Sequence, residues 1–442
     1  MAGKTFVSNV YNGSYLAPTL RINQDDSVII HLVNNLKNVE QSADSTLIIP
    51  MCSDVYRNET NLHFHGMGIS PQVPGDNIFM GVKAEIGFNN FTYRFKVPHD
   101  HPKGEHWYHP HRCGFVESQV LSGMSGAIIV EGLVEDQYPE LTGMKEKVLI
   151  LKDIILPGDP DTIPKTKTIN GMKNPYIAIQ PGEMQLWRVG NIGADAFFNL
   201  KLDGHKFWVL AWDGNLLEEP QLADTLFLAP AARATVIVVG SNQSGEYQLR
   251  SLNVDTGPAG DPNPEVVIGI LEVSGTPMDN SAKISRLQKP ADDLEDIQPT
   301  IEAVRKMPIT RKRIIEFSET ADGKTFYINK KLFDETRTDV TVNLGDVEEW
   351  TLVNYSKELH VFHIHQLDFR VTEIKGEEKD AEGLRDVVDI PYAQNGQPGI
   401  VKIIIPFTNP LIVGKFVFHC HILEHEDNGM MAVLEVKPKP GN

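Results

Sequence analysis

Three features are scarce in this 442-residue sequence, and each absence excludes a class of protein. It has only three cysteines, too few for a disulfide framework. No run of eighteen or more apolar residues occurs, so the sequence predicts no membrane-spanning helix. No Lys/Arg-rich run occurs either, and a net charge of −18 would repel nucleic-acid phosphates and anionic lipid. We therefore expect neither nucleic acid nor a membrane surface as a partner.

The N-terminal sequence MAGKTFVSNVYNGSYL lacks the apolar segment of a secretory signal. We therefore expect no such signal in the sequence as given. The sequence leaves the compartment open, and it does not indicate the oligomeric state.

A pattern that occurs three times indicates tandem domains. Residues 22–34 read INQDDSVIIHLVN, residues 179–191 read IQPGEMQLWRVGN, and residues 342–354 read VNLGDVEEWTLVN. Each copy has an apolar start, a turn with an acidic residue, an alternating strand and a closing asparagine. The spacing of about 160 residues is far longer than a solenoid repeat and predicts separate domains. We place these domains at 1–135, 136–290 and 291–442, with the Pro- and acid-rich segment 276–307 as the clearest linker.

The rest of the sequence has an all-β character. Alternating segments such as FTYRFKV (91–97) and ATVIVVG (234–240) are separated by turns rich in Gly, Pro, Asn and Asp. Many short strands at this spacing predict Greek-key β-sandwiches.

Histidines are concentrated in His-x-His pairs. A random arrangement of 15 histidines in 442 residues would give about half of one pair. Five pairs occur: His63/His65, His99/His101, His109/His111, His363/His365 and His419/His421. Residues i and i+2 of a strand point to the same face, so a pair on a strand offers two imidazoles to one point. Because imidazole suits transition metals, four such pairs predict a site for several metal ions.

The run His-Cys-His at 419–421 indicates two linked metal sites. On a strand the two imidazoles would point one way and the thiol of Cys420 the other. Adjacent residues would then serve two sites that are joined by a few covalent bonds.

Partners for the thiol lie nearby in the sequence. His425 and Met430 follow Cys420, and His360 precedes His363 by an odd offset that turns it to the opposite face of a strand. Two imidazoles, a thiolate and a weak axial thioether form a blue-copper electron-transfer site.

Four motifs resemble the copper motifs of multicopper oxidases. They read NLHFHG (61–66), HWYHPH (106–111), HVFHIH (360–365) and HCHILEHEDNGMM (419–431), in the order that the family has them. The resemblance implies three tandem cupredoxin-like domains, four copper ions per chain and reduction of O2 to water.

The resemblance also implies a role for each matching residue. It assigns the type 1 copper to His360, Cys420, His425 and Met430, the type 2 copper to His63 and His363, and the type 3 pair to His65, His109, His111, His365, His419 and His421. Met431 is the alternative axial residue, and the family spacing favours Met430. The three-copper cluster would lie between domains one and three, because each supplies four imidazoles.

Domain two is expected to be a copper-free spacer. Aligning FNLKLDGHKFWVL (198–210) with FHIHQLDFRVTEI (362–374) puts Asn199 and Lys201 where the third domain has His363 and His365. Lysine is not expected as a copper ligand here.

Two carboxylates are candidate catalytic acids. Glu426 follows His425, and the family implies a proton relay there; a purely structural carboxylate is the alternative. Asp76, eleven residues after His65, resembles the acid beside the three-copper cluster, although the usual Asp-Gly is Asp76-Asn77 here. The alternative for Asp76 is a turn residue that binds its own backbone.

Two further features stay open. Pro98 and Pro102 make the pair His99/His101 part of a loop, for which solvated residues are favoured over an auxiliary copper site. Cys52 and Cys113 either form a disulfide or remain two buried thiols.

The resemblance implies a laccase-like enzyme that oxidises phenols or aromatic amines with O2, and it favours an extracytoplasmic (periplasmic or secreted) location. A Cu(I) oxidase is the main alternative, but the 12 methionines are scattered and residues 371–390 are acidic rather than Met-rich. A bilirubin-oxidase-like specificity stays open. A copper-free structural protein is disfavoured because the ligand set is complete.

Overall fold

The computed structural model describes residues 8–37, 55, 58–156, 164–287, 301–378 and 383–439. Strands account for most of the regular structure, and each third of the sequence forms two sheets. The predicted all-β fold of three cupredoxin-like units is confirmed. The domain boundaries themselves stay predictions.

The first unit brings two of the His-x-His pairs side by side. Its strands among the described residues are β1 (Leu20–Ile22), β2 (Ser27–Val33), β3 (His63–His65), β4 (Asn90–Lys96), β5 (Gly104–His109) and β6 (Gly126–Val130). They form a sheet in the order β1-β6-β5-β3 and a separate pair β2-β4. Strands β3 and β5 are antiparallel with His63 opposite His109.

In the described part of the second unit there is a six-stranded and a five-stranded sheet. Its strands are β7 (Lys145–Ile154), β8 (Thr166–Ile169), β9 (Tyr176–Ile179), β10 (Met184–Asn191), β11 (Phe198–Leu202), β12 (Phe207–Trp212), β13 (Asn215–Ala223), β14 (Leu226–Leu228), β15 (Arg233–Val239), β16 (Gly245–Leu252) and β17 (Val266–Val273). The sheets have the orders β13-β12-β15-β10-β7-β8 and β14-β11-β16-β17-β9.

The third unit repeats this plan. Its strands are β18 (Arg311–Glu319), β19 (Phe326–Ile328), β20 (Val340–Asn343), β21 (Val347–Asn354), β22 (His360–Ile364), β23 (Arg370–Ile374), β24 (Glu377–Glu378), β25 (Val387–Ile390), β26 (Gly399–Pro406), β27 (Gly414–Cys420) and β28 (Met431–Lys437). The sheets have the orders β19-β18-β21-β26-β23-β24 and β20-β28-β27-β22-β25. Strands β22 and β27 are neighbours, with His363 opposite His419 and Phe362 opposite Cys420.

Helices are few and short in the described part of the chain. They are α1 (Val116–Ser122), α2 (Leu133–Gln137), α3 (Ser281–Arg286), α4 (Ile301–Lys306) and α5 (Leu423–Asp427), with 3-10 turns at Pro139–Leu141 and Pro410–Ile412. Among the described residues, none of these helices has the length and apolar character needed to cross a bilayer.

The threefold sequence pattern has a physical cause in two hydrogen-bonded features. In each copy the acidic residue of the turn accepts a bond from the backbone N–H three residues earlier, as Asp346 does from Asn343 at 2.9 Å. In each copy the closing asparagine is buried and its amide donates to two backbone carbonyls. Asn191, for example, donates to Ala196 and Leu228 at 2.9 and 3.1 Å. The pattern therefore marks the same turn and the same strand end in all three units.

Candidate metal centre

The first of two donor sites, called here the thiol site, consists of Cys420, His360 and His425. The Sγ atom of Cys420 lies 3.8 Å from Nδ1 of His360 and 3.6 Å from Nδ1 of His425, and these two nitrogens are 3.1 Å apart. All three residues are buried. The backbone N–H of Val361 donates to the sulfur at 3.3 Å. One sulfur and two imidazole nitrogens therefore converge on one point.

Each imidazole of the thiol site is held by its remote nitrogen. Nε2 of His360 contacts the Ser356 hydroxyl at 2.8 Å, and Nε2 of His425 contacts Glu358 at 3.4 Å. Such partners fix the ring orientation and the tautomer of a metal-binding histidine. Burial lowers the pKa of His360 to about 3, which keeps this ring neutral, the form that binds metal ions.

The two neighbouring methionines face different surroundings. Met430 is fully buried in the same apolar cluster as Cys420, whereas Met431 belongs to a separate cluster with Cys113 and Val417. The backbone of Met430 accepts from the N–H of Cys420 at 3.0 Å. This packing favours Met430 over Met431 as the axial residue.

The second site, called here the imidazole cluster, contains the other eight predicted ligands. They are His63, His65, His109, His111, His363, His365, His419 and His421, and none is more than 1% exposed. Rings from the first and third units stack in pairs: His63 on His365 with centroids 3.7 Å apart, and His65 on His363 at 3.9 Å. Nε2 of His419 lies 3.3 Å from Nε2 of His111 and 3.2 Å from Nε2 of His365.

The imidazole cluster fits metal ions because its ring nitrogens lack other partners. Seven of the eight residues have at least one buried ring nitrogen without a hydrogen-bond partner among the described residues, and His421 has two. Buried polar atoms are normally paired, so convergent unpaired nitrogens need another explanation. Burial, followed by repulsion from neighbouring imidazoles, lowers the pKa of six of them well below the usual value. Neutral imidazoles with free lone pairs are the donors that copper requires.

Asp76 supports one ring of this cluster. It is buried, and its Oδ2 lies 2.9 Å from Nδ1 of His63 while its Oδ1 accepts from the Phe64 backbone at 3.2 Å. The structure thus places Asp76 against a cluster imidazole rather than in an exposed turn.

Glu426 lies on the other side of the cluster. One carboxyl oxygen lies 2.9 Å from Nδ1 of His419, and the other lies 3.4 Å from Nδ1 of His111. The same nitrogen of His419 lies 2.9 Å from the carbonyl oxygen of Cys420, which takes the hydrogen bond. Both carboxyl oxygens of Glu426 are therefore buried without a hydrogen bond among the described residues.

Three supporting residues escaped the sequence analysis. Asp386 contacts Nε2 of His65 at 3.3 Å through its carboxylate, and its backbone carbonyl contacts Nδ1 of His363 at 2.8 Å. Arg233, from the second unit, binds the Asp386 carboxylate with both Nη atoms at 2.6 and 2.7 Å. Gln366 donates to Asp76. None of these residues belongs to a recognisable motif, and no sequence signal marks them.

The remaining predicted features lie elsewhere. His101 is buried with both ring nitrogens bonded to protein atoms, and the exposed His99 pairs with Asp25, so the two do not converge. Cys420 is a free thiol and Cys113 takes part in a disulfide. The alternative of two separate buried thiols is therefore wrong for Cys113, while its pairing with Cys52 stays a prediction because Cys52 lies outside the described residues.

The second unit carries no histidine pair at the equivalent position. Asn199 and Lys201 lie on β11, and the Lys201 side chain is exposed. Within the described residues, the groups of donors close enough to share a metal ion all come from the first and third units. The copper-free spacer stays a prediction, although Arg233 shows that this unit also supports the cluster.

Comparison with known proteins agrees with these donor sets. Three multicopper oxidase family profiles match consecutive parts of the chain, at residues 38–134, 136–276 and 306–440. A multicopper oxidase of Staphylococcus haemolyticus is 28% identical over 445 residues, which cover 96% of this chain and 83% of the relative. A laccase of Bacillus subtilis is 24% identical over 479 residues, covering 96% and 89%.

Solved structures show the same likeness. A multicopper oxidase from Campylobacter jejuni, described as a metallo-oxidase, superposes with a TM-score of 0.76 at 26% identity, covering 97% of this chain and 86% of that one. A laccase-like multicopper oxidase from Ochrobactrum gives 0.73 at 22% identity, covering 97% and 94%. The matching profiles and the two copper-type donor sites together place the chain in the multicopper oxidase family, as a copper-dependent oxidoreductase that uses O2 and a reducing substrate.

Proposed function

We propose that the protein is laccase-like and couples four one-electron oxidations of a phenol or aromatic amine to the four-electron reduction of O2 to water. The observation that carries this proposal is the path from Cys420 to the imidazole cluster. The thiol lies in one donor site, while the adjacent residues His419 and His421 lie in the other. Electrons accepted at the first site would reach the second through a few covalent bonds.

The proposed ligand sets follow the two sites. His360, Cys420, His425 and Met430 would hold the type 1 copper, His63 and His363 the type 2 copper, and His65, His109, His111, His365, His419 and His421 the type 3 pair. Bound copper would supply one-electron redox chemistry at the thiol site and O2 reduction at the imidazole cluster. The protein holds the ligand rings in fixed orientations through their hydrogen-bond partners and buries both sites away from water.

A cavity beside the thiol site favours an organic donor. It has a volume of about 490 Å³, and its lining includes Phe227, Asp255, Leu359, Asp389 and Tyr392. This volume suits a small organic molecule. Leu359 directly precedes His360, and the carboxylates can take the proton that a phenol or aromatic amine releases with its electron.

Proton supply to the cluster is proposed for Glu426. Its buried carboxyl oxygens lie close to two cluster imidazoles and keep free acceptor sites. Asp76 is the second acid proposed for the cluster. Its oxygens already accept several hydrogen bonds, which suits holding His63 better than moving protons.

A metal ion such as Cu(I) is the second candidate donor. Glu358 contacts the outward nitrogen of His425 at 3.4 Å, and the pKa of the half-buried Glu319 is raised to about 7 by burial and then by the proximity of Glu358. The ionised Glu358, whose pKa is lowered to about 2 by its contact with His425, places negative charge at the outer edge of His425 that would attract a cation. The structural neighbour from Campylobacter jejuni is described as a metallo-oxidase. Bilirubin is a further candidate for the organic donor. The proposal also includes an extracytoplasmic location for the protein.

Two variants separate the donor classes. O2 uptake by copper-loaded protein is measured with a phenol, an aromatic amine, bilirubin and Cu(I). If the cavity binds the donor, Phe227→Ala should raise KM for organic donors and leave Cu(I) oxidation unchanged. If the carboxylates guide a cation, Glu358→Gln should slow Cu(I) oxidation more than organic turnover. The laccase-like proposal would be overturned if the protein oxidised Cu(I) rapidly and Phe227→Ala left KM for the organic donors unchanged.

A further inference from the structure

Gln366 combines an unfavourable backbone conformation with a buried amide. It directly follows His365 and has a φ of +60°, in the left-handed region that residues other than glycine rarely adopt. Its side chain is only 4% exposed. A strained conformation of this kind persists only where surrounding interactions hold it, so contacts of the Gln366 side chain should stabilise it.

The amide of Gln366 crosses from the third unit to the first. Its Nε2 donates to Oδ2 of Asp76 at 2.5 Å, across 290 residues of sequence. The amide nitrogen must face the carboxylate, because the alternative orientation would place two acceptor oxygens together. Oε1 of Gln366 has no hydrogen-bond partner among the described residues, so the contact with Asp76 is the polar interaction that its side chain makes there.

The same carboxylate oxygen of Asp76 holds His63. It lies 2.9 Å from Nδ1 of His63, which fixes the proton on that nitrogen and leaves Nε2 free. The His63 ring stacks on the ring of His365, the residue directly before Gln366. Gln366 therefore reaches His63 by two routes, through Asp76 and through its own neighbour in the chain.

We propose that Gln366 is a positioning residue for the type 2 copper: through Asp76 it fixes the orientation and tautomer of His63 and keeps that ring in register with the imidazoles of the third unit. This inference rests on the proposed assignment of His63 as a copper ligand. Residues that orient a metal ligand from behind typically change metal affinity by about tenfold to a hundredfold when they are replaced.

Gln366→Gly tests the proposal because it should relieve backbone strain and at the same time weaken the binding of one copper ion. Glycine accepts the left-handed conformation without strain, which offsets the lost hydrogen bond to buried Asp76, so the copper-free variant should melt close to wild type. Loss of the amide should nevertheless let a chelator remove one copper per chain about tenfold faster, with loss of the type 2 signal in electron paramagnetic resonance and retention of the blue band. A purely structural role predicts no selective copper loss.

Lys330→Gly is the matched control. Lys330 has a φ of +61° and an exposed side chain, and its ion-pair partner is Glu316. The substitution Lys330→Gly relieves similar strain at a residue that does not contact the cluster, so this variant should lose copper to the chelator at the wild-type rate.

Three results would overturn the inference. One is wild-type chelation kinetics in Gln366→Gly, and another is a lowered melting temperature with loss of all copper. The third is a content of fewer than four coppers in fully loaded wild type. Only this result would also overturn the copper-ligand assignment, so it distinguishes failure of that assignment from failure of the role proposed for Gln366.

Discussion

The sulfur of Cys420 lies within 3.8 Å of two imidazole nitrogens, and the backbone continues directly into His421 of the imidazole cluster. A serine hydroxyl is a much poorer copper ligand than a thiolate. Cys420→Ser should therefore abolish the blue band and turnover while three coppers stay bound. A copper count and an absorption spectrum test this prediction. Met430→Leu is the control, and it should keep the blue band and raise the reduction potential of the type 1 copper. Loss of all four coppers from Cys420→Ser would mean that the thiol serves more than one site.

Glu426 makes a different prediction because it contacts the cluster rather than the thiol site. Glutamine keeps the size of Glu426 but cannot release and regain a proton. Glu426→Gln should slow reoxidation by O2 and leave reduction of the type 1 copper by donor nearly unchanged. Stopped-flow measurement of the two half-reactions separates these effects. Normal reoxidation across acidic and neutral pH would remove the relay role and make Asp76 the next acid to test.

The sequence predicts local residue patterns well and distant partners poorly. Each His-x-His pair could be found because its two members are two residues apart. Asp386 and Gln366 could not be found, because their partners His65 and Asp76 are 321 and 290 residues away in the chain. Only folding brings these supporting side chains behind the rings.

At the scale of strands, alternation explains most of the site. Strand β27 directs the Cys420 thiol toward His360, while His419 faces the cluster. Strand β5 ends at His109, and Pro110 interrupts the alternation before His111. Alternation within one strand therefore accounts for both members of the pair on β3, whereas the convergence of the His109/His111 pair also depends on the turn after β5.

Strand β5 also carries Glu105, a buried acid that predicts a pH dependence of stability. It is 1% exposed, and burial raises its pKa to about 8 although Arg188 and Arg233 lower it. The unfolded chain would release this proton near the ordinary value of 4.5. Between these two values the folded state binds more protons than the unfolded state, so stability falls as pH rises through that window.

Glu105→Gln should remove this pH dependence, because glutamine is neutral at every pH. Within the window the variant should gain stability relative to wild type by up to about 1.4 kcal/mol per pH unit. Chemical denaturation of the copper-free protein across the window measures the difference. Glu246→Gln, an exposed strand position, is the control and should run parallel to wild type. A constant difference between Glu105→Gln and wild type would mean that Glu105 is already ionised in the folded protein.

At the scale of the whole molecule, the three units meet around the imidazole cluster. The split of the histidine pairs between the ends of the chain predicts that the first and third units adjoin. The contribution of the second unit was not predictable, because Arg233 stands alone at the start of the apolar strand β15. It is fully buried and reaches both neighbours, donating to the Glu105 carbonyl at 3.1 Å and to Asp386.

This arrangement makes Arg233 the test of whether the second unit is only a spacer. The planar guanidinium serves both Asp386 oxygens and the carbonyls of Glu105 and Ala231, which a single ammonium cannot do. Arg233→Lys should therefore lower the stability of the copper-free protein by about 1–3 kcal/mol, since it leaves buried acceptors unpaired. Because Asp386 also contacts His65, the variant should lose type 3 copper to a chelator sooner than it loses the blue band.

Arg250→Lys is the matched control, because Arg250 also pairs with two carboxylates, Asp203 and Glu265, but is partly exposed and belongs to the second unit alone. Surface ion pairs contribute little, so its stability and copper retention should stay near those of wild type. If Arg233→Lys destabilises the protein but all coppers leave at wild-type rates, the ion pair with Asp386 joins the units without orienting His65. If neither property changes, the second unit does act only as a spacer.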